Sequence, residues 1–186
     1  MANKREIDHQ KNEIKGEESM FYLKPIGLVH VSLSDDKVKA KWIEGVEGII
    51  EVYEEYACGL EGINGFSHLM ILAYLHKVLE EQRKILKVKP KRLRLIEVDV
   101  DKFSEVGVFC TDSPCRPNPL ALTIVELLER KGRFLKVKHL DLFDGTPVLD
   151  IKPYTPSRRI QEIKLPKWYQ KILEEARIKF PQIKDF

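Results

Sequence analysis

The side chains best placed for chemistry lie in residues 107–119, which read GVFCTDSPCRPNP. Pro114, Pro117 and Pro119 each fix their own φ and push the preceding residue toward extended backbone. Arg116 and Asn118 both precede a proline, so a guanidinium and a carboxamide stand on a stiff ribbon with little ordering entropy left to lose. Arg116 offers five donors in a planar fork, matched to a phosphate or a carboxylate. Its other role is a salt bridge tying the loop to Asp112 or Asp144. The Asn118 oxygen can accept hydrogen bonds from an amino group, or the side chain can bond its own backbone in a turn.

The remaining reactive residue types are dispersed. Cys58, Cys110 and Cys115 are odd in number, and neither they nor the scattered His9, His30, His68, His76 and His139 have the spacing of a zinc site. No metal is expected. Reduced thiols fit a cytoplasmic protein. The start of the chain is polar rather than signal-like, and no apolar run reaches membrane-spanning length.

Several short elements must position the loop. With 186 residues and 43% hydrophobic content, the sequence suits one domain with a sizeable core. Residues 1–19 are almost wholly polar or charged. They are expected to be a dispensable flexible arm or an upstream extension, with Met20 opening the domain. Strands are expected over residues 21–33, 48–56, 66–75, 93–100, 106–110, 121–128, 134–142 and 148–151. The nearly continuous apolar run 66–75 fits a strand buried on both faces or equally a buried helix, which periodicity does not separate; its glycine-bounded start favours the strand. Short strands with turn signals between them indicate a mainly β fold, a single antiparallel barrel spanning residues 20–160. No Gly-x-Gly-x-x-Gly follows a strand, which argues against a doubly wound nucleotide-binding fold.

Residues 161–186 read as a C-terminal helical extension. Pro166 suits a first turn, and Trp168, Ile172, Leu173, Ala176 and Phe180 recur at helical spacing, an apolar stripe for the barrel or a partner. Net charge is only +3, but it is unevenly spread. Residues 77–94 hold eight basic and two acidic side chains, while residues 44–61 hold six acidic and no basic ones. The basic stretch is either a phosphate-contacting patch or a solvated charged face.

Three segments together resemble the TrmO-like (TsaA-like) family of S-adenosylmethionine-dependent tRNA adenine-N6 methyltransferases. The family's GVFATRSPxRPNPIGLS resembles GVFCTDSPCRPNPLALT here, its FSH-apolar-His segment resembles residues 59–76, and its DLLDGTPVLDIKPYxP resembles residues 141–156. The PIG start also recurs at Pro25. The resemblance implies a homodimeric tRNA methyltransferase with S-adenosylmethionine as cofactor and a pocket near the dimer interface. The implied substrate nitrogen is N6 of the threonylcarbamoyl-adenosine 3′ of the anticodon. It also implies a cofactor pocket of Phe66, Ser67, His68, Asp112, Leu122, Asp141, Leu142, Phe143 and Asp144, with Asn118 and Arg116 at the reacting end.

Residues 141–146 supply carboxylates for ribose hydroxyls, an apolar slot and carbonyl edges, or serve as an Asp-capped turn. His68 suits a polar pocket wall or a satisfied core histidine. Two departures from the family, Asp112 for its arginine and Ala121 for its glycine, motivate an alternative: a non-catalytic S-adenosylmethionine- or RNA-binding barrel. Asp112 can attract a sulfonium or pair with Arg116.

Overall fold

Residues 21–179 are described by the structure, a computed structural model. The expected arm over residues 1–19 and the stripe residue Phe180 lie outside them. The strands are β1 (Gly27–His30), β2 (Val46–Val52), β3 (His68–Tyr74), β4 (Lys87–Val88), β5 (Val106–Gly107), β6 (Leu120–Lys131), β7 (Phe134–Leu140) and β8 (Pro147–Pro153). Six of them close an antiparallel barrel in the order β1-β2-β7-β6-β3-β8, while β4 and β5 pair separately. Closure leaves no barrel strand with an unpaired edge.

The barrel core is the inward half of each alternating strand. Leu69, Ile71 and Ala73 of β3, Val125 of β6, Leu135 and Val137 of β7 and Val148 of β8 are fully buried. The β3 sequence is apolar throughout, yet only alternate residues are buried; Met70 and Leu72 face outward and remain partly exposed. The expected burial on both faces is therefore corrected to one face. At Gly27 a side chain is excluded: a Cβ there would lie 2.1 Å from the Glu51 carbonyl oxygen, which is why β1 can approach β2 so closely.

Antiparallel order assigns the connections to two ends. The upper end carries the β1–β2, β3–β6 and β7–β8 connections, and the lower end carries residues 53–67 and the β6–β7 turn at Gly132. Three expected strands are shorter than the apolar runs implied, and the one over residues 106–110 pairs only at Val106–Gly107 before a 3-10 turn at Val108–Cys110. Only Gly27–His30 pairs within residues 21–33, because Pro25 has no N–H to donate and the chain turns at Ser34 into helix α1 (Asp35–Ala40), an element the sequence reading lacked. Strand β2 ends at Val52, and Glu54–Leu60 forms 3-10 turns.

The long β3–β6 connection holds the short helix α2 (Glu80–Arg83), β4 and β5. Here the expected strand over residues 93–100 is corrected to 3-10 turns at Lys91–Ile96 and Val100–Lys102. Glu97 has a φ of 57°, a left-handed backbone that no strand accommodates. The apolar residues of that run are still buried. Leu93, Ile96, Val98 and Val100 form a second core with Ile172 and Ala176 of helix α3 (Lys167–Lys179), flanked by Trp42, Ile43, Phe103 and Trp168. The apolar stripe of α3 thus packs on this insert.

Candidate functional site

The proline-rich loop is wound around Arg116. Its Nε donates to the Ser113 carbonyl at 2.8 Å, and its Nη2 donates to the carbonyls of Val108, at 3.3 Å, and Thr111. Among the described residues no carboxylate pairs with it, so in place of the alternative bridge to Asp112 or Asp144 its fork spans the loop's own carbonyls. Thr111 Oγ1 donates to the Val108 carbonyl at 3.0 Å, and the Ser113 N–H donates to Thr111 Oγ1 at 3.3 Å. The loop joins the barrel where the Leu75 N–H donates to the Pro119 carbonyl at 2.8 Å. Asn118 is exposed. Its backbone carbonyl accepts from the Leu120 N–H at 2.8 Å, while its carboxamide makes no hydrogen bond among the described residues. Asp112 is exposed and forms no ion pair among the described residues.

The 141–146 turn shares this upper end. Asp144 Oδ1 accepts from the Val31 N–H at 2.9 Å, anchoring the turn to the end of β1. Gly145 follows with a φ of 73°, a backbone that glycine adopts without strain. Leu142 is buried and Thr146 nearly so. Asp141 Oδ1 is buried without a hydrogen-bond partner among the described residues. A buried, unsatisfied carboxylate oxygen is costly and calls for a donor.

The ring of Phe143 lies under two ammoniums, Lys39 Nζ at 5.6 Å and Lys77 Nζ at 5.2 Å. Lys77 is itself held by Asp35 at 2.7 Å. The sequence reading missed Lys39 and Lys77 because α1 and the β3–β6 insert bring them to Phe143 from distant positions; no local spacing marks such a pair. Next to Lys77, desolvation first and then the Lys77 charge hold the His76 imidazole below its ordinary pKa, against the opposing pull of Asp35.

Phe66, Ser67 and His68 stand at the other end of β3. His68 Nδ1 lies 2.9 Å from Ser67 Oγ, and Phe66 is 38% exposed. The β3–β6 ladder runs from His68 opposite Glu126 to Tyr74 opposite Leu120, six residues or about 20 Å. Within one chain, then, the 66–68 segment and the Asn118 loop are brought to opposite ends of the same ladder. Leu122, 69% exposed, lies between them on the outer face, opposite Leu72, while Ile124 faces Met70. Among the described residues no group of His, Cys, Asp or Glu could hold a metal ion, and no helix is long and apolar enough to cross a membrane.

The basic stretch is partly neutralised. Lys89 and Arg94 share Asp101, at 3.4 and 2.9 Å, and Arg83 pairs with Glu80 at 3.2 Å. The Lys89 hydrogen bond, then the Arg94 charge, hold the Asp101 carboxyl below its usual value. Lys84, Lys87 and Lys91 have no carboxylate partner among the described residues, and Arg92 lies over the Trp42 ring at 5.4 Å.

Residues 24–158 match the family of tRNA-methyltransferase O N-terminal domains. A probable S-adenosyl-L-methionine-binding protein of Pyrococcus abyssi is 36% identical over 164 residues, covering 85% of this chain and 83% of that one. The tRNA (adenine(37)-N6)-methyltransferase of Escherichia coli is 38% identical over 120 residues, 61% of this chain but 48% of its own length. A crystal structure of TrmO superposes with a TM-score of 0.60 at 26% identity, over 79% of this chain and 64% of that one. The chain therefore spans about half of the E. coli enzyme and under two thirds of the TrmO chain.

Proposed function

We propose that this chain, which belongs to the family of tRNA-methyltransferase O N-terminal domains, is a cytoplasmic, homodimeric, S-adenosylmethionine-dependent methyltransferase. Its substrate is N6 of the threonylcarbamoyl-adenosine 3′ of a tRNA anticodon. The observation that carries this reading is the Asn118 carboxamide, exposed and unbonded on a loop whose backbone is fixed by Arg116. Support comes from the relatives named for S-adenosyl-L-methionine binding and for tRNA adenine methylation.

S-adenosylmethionine supplies, when bound, an electrophilic methyl group on a sulfonium. An exocyclic adenine nitrogen is a poor nucleophile because its lone pair is delocalised into the ring. In threonylcarbamoyl-adenosine N6 carries one hydrogen beside the ring and the carbamoyl carbon, and the Asn118 oxygen accepts that hydrogen as the nitrogen pyramidalises toward the donor methyl. Aimed acceptors of this kind stabilise the transition state without reorganising, and positioning contributes several kcal/mol more. The buried Asp141 Oδ1, lacking a donor, fits a ribose hydroxyl, and Leu142 and Phe143 supply the apolar slot. Arg116 holds the loop in shape rather than reaching for an anion. No base is needed at the nitrogen, since its proton can leave after transfer.

The homodimer answers the separation of the two half-sites. The outer face of β3 and β6 presents Met70, Leu72, Leu122 and Ile124. A two-fold axis crossing these strands at right angles sets one protomer's 66–68 segment against its partner's Asn118 loop.

The test combines calorimetry with S-adenosylmethionine in chelator and transfer of a labelled methyl group to tRNA with and without the threonylcarbamoyl group. Saturable binding and methylation of the modified tRNA are expected. No heat and no thermal upshift at excess ligand would sink the cofactor assignment, because a bound ligand must raise apparent stability. Binding without transfer, even in Asp112→Arg, would leave the non-catalytic barrel.

A further inference from the structure

Phe109 stands in the proline-rich loop as a 78% exposed aromatic ring on backbone that is held from both sides. On one side β4 pairs with β5, Lys87 opposite Gly107, and the Val108 N–H donates to the Leu86 carbonyl at 2.9 Å. On the other, the Val108 carbonyl accepts from Thr111 Oγ1 and Arg116 Nη2. A bulky apolar ring is normally buried. Here the fold spends its hydrogen bonds on the backbone around the ring and leaves the ring itself in solvent. The neighbouring strand is cationic: residues 84–94 carry six basic side chains and no carboxylate. Of these Lys84, Lys87 and Lys91 have no carboxylate partner among the described residues.

We infer that Phe109 is a stacking platform for an unpaired RNA base adjoining the methylated one, with Lys87 and its neighbours on the flanking phosphates; this rests on the tRNA reading above. A fixed exposed aromatic beside free ammoniums is the arrangement that single-stranded RNA recognises, because every base has a face to stack and every linkage a charge. Arg116, which grips the Val108 carbonyl, is two residues from Asn118, at most about 7 Å of backbone. The platform therefore adjoins the reacting end of the loop. A second copy of the chain fits this surface poorly, since two-fold pairing around Phe109 would set the basic strand against its own copy.

The experiment measures binding of the full chain to threonylcarbamoylated tRNA, cofactor affinity, and steady-state methylation, for the parent, Phe109→Ala, Phe109→Trp and Lys87→Gln. Phe109→Ala is expected to weaken tRNA binding about tenfold, within the range seen for one stacked base. The KM for tRNA should rise with kcat nearly unchanged, and cofactor affinity and melting temperature should hold. Phe109→Trp is expected to restore binding, and Lys87→Gln to lower the salt slope by about one phosphate contact. Parent-like binding by Phe109→Ala, or a loss that tryptophan does not restore, overturns the inference. So does a fall from dimer to monomer in Phe109→Ala, which would assign the ring to a second copy. A parent that binds cofactor but no tRNA removes the tRNA reading itself, a result distinct from all of these.

Discussion

Asn118→Ala removes an aimed acceptor and nothing that supports the loop, because the carboxamide has no partner among the described residues. Turnover is expected to fall roughly a hundredfold, the cost of about 2–4 kcal/mol in the transition state. Calorimetry should find cofactor affinity nearly intact, and a variant that methylates as fast as the parent would move the reacting centre away from this loop. Arg116→Ala has the opposite signature. Its fork bonds three carbonyls, so the variant is expected to lose about 1–3 kcal/mol of stability. Arg116→Lys should recover little of that, since one ammonium cannot reproduce the fork. Thermal melts decide it; an unchanged melting temperature with weakened ligand binding would give Arg116 an anion-holding role instead.

At the scale of elements, helix α3 and the β3–β6 insert share a core that the barrel does not. Ile172 is 4% exposed within it. Ile172→Ala is expected to cost about 2–5 kcal/mol of that core's stability. Hydrogen exchange should show faster opening in residues 91–103 and α3 than in β3 and β6; uniform loss would mean that the two cores unfold as one unit. Strands β1 and β2 and the β6–β7 turn are joined by Glu51, which lies 2.6 Å from His30 Nε2 and also pairs with Arg133. The His30 bond first, then the Arg133 bond, hold its carboxyl below the ordinary 4.5. A depressed folded pKa contributes stability above the unfolded value and loses it as pH falls through the folded one. The melting temperature of Glu51→Gln should therefore lie below the parent's at about pH 7, with the gap closing as pH falls below 4.5. A gap that stays constant would show that the carboxylate charge does not matter.

For the whole molecule, the decisive variable is whether two copies complete one pocket. Ile124→Asp places a charge on the exposed apolar face between the 66–68 segment and the Asn118 loop. The expected outcome is a halved mass in light scattering together with loss of S-adenosylmethionine binding, while the barrel stays folded because Ile124 points away from its core. A monomeric variant that binds cofactor as tightly as the parent would place the entire pocket within one chain. Residues 24–158 carry the family match, and α3 lies beyond it. Damage confined to α3 should therefore leave cofactor binding in place.

Local sequence determined a good deal of this protein. A nearly unbroken apolar run set β3, alternating apolar residues set β7, the spacing after Pro166 set α3, and three prolines set the stiffness of the loop at Asn118. These signals are legible because each arises from residues a few positions apart. Tertiary structure decided what depends on distant partners. Closure of the barrel sent the 66–68 segment and the Asn118 loop to opposite ends of one ladder. Arg116 found carbonyls because the loop folds back on itself. Residues 93–100 became turns once Glu97 took a left-handed backbone and their apolar side chains found α3. Asp35 met Lys77 across 42 positions, and Phe109 was left exposed beside lysines that pair with no carboxylate among the described residues. Periodicity records which face of an element is apolar, but not what that face meets, since the partner is chosen by packing across the chain.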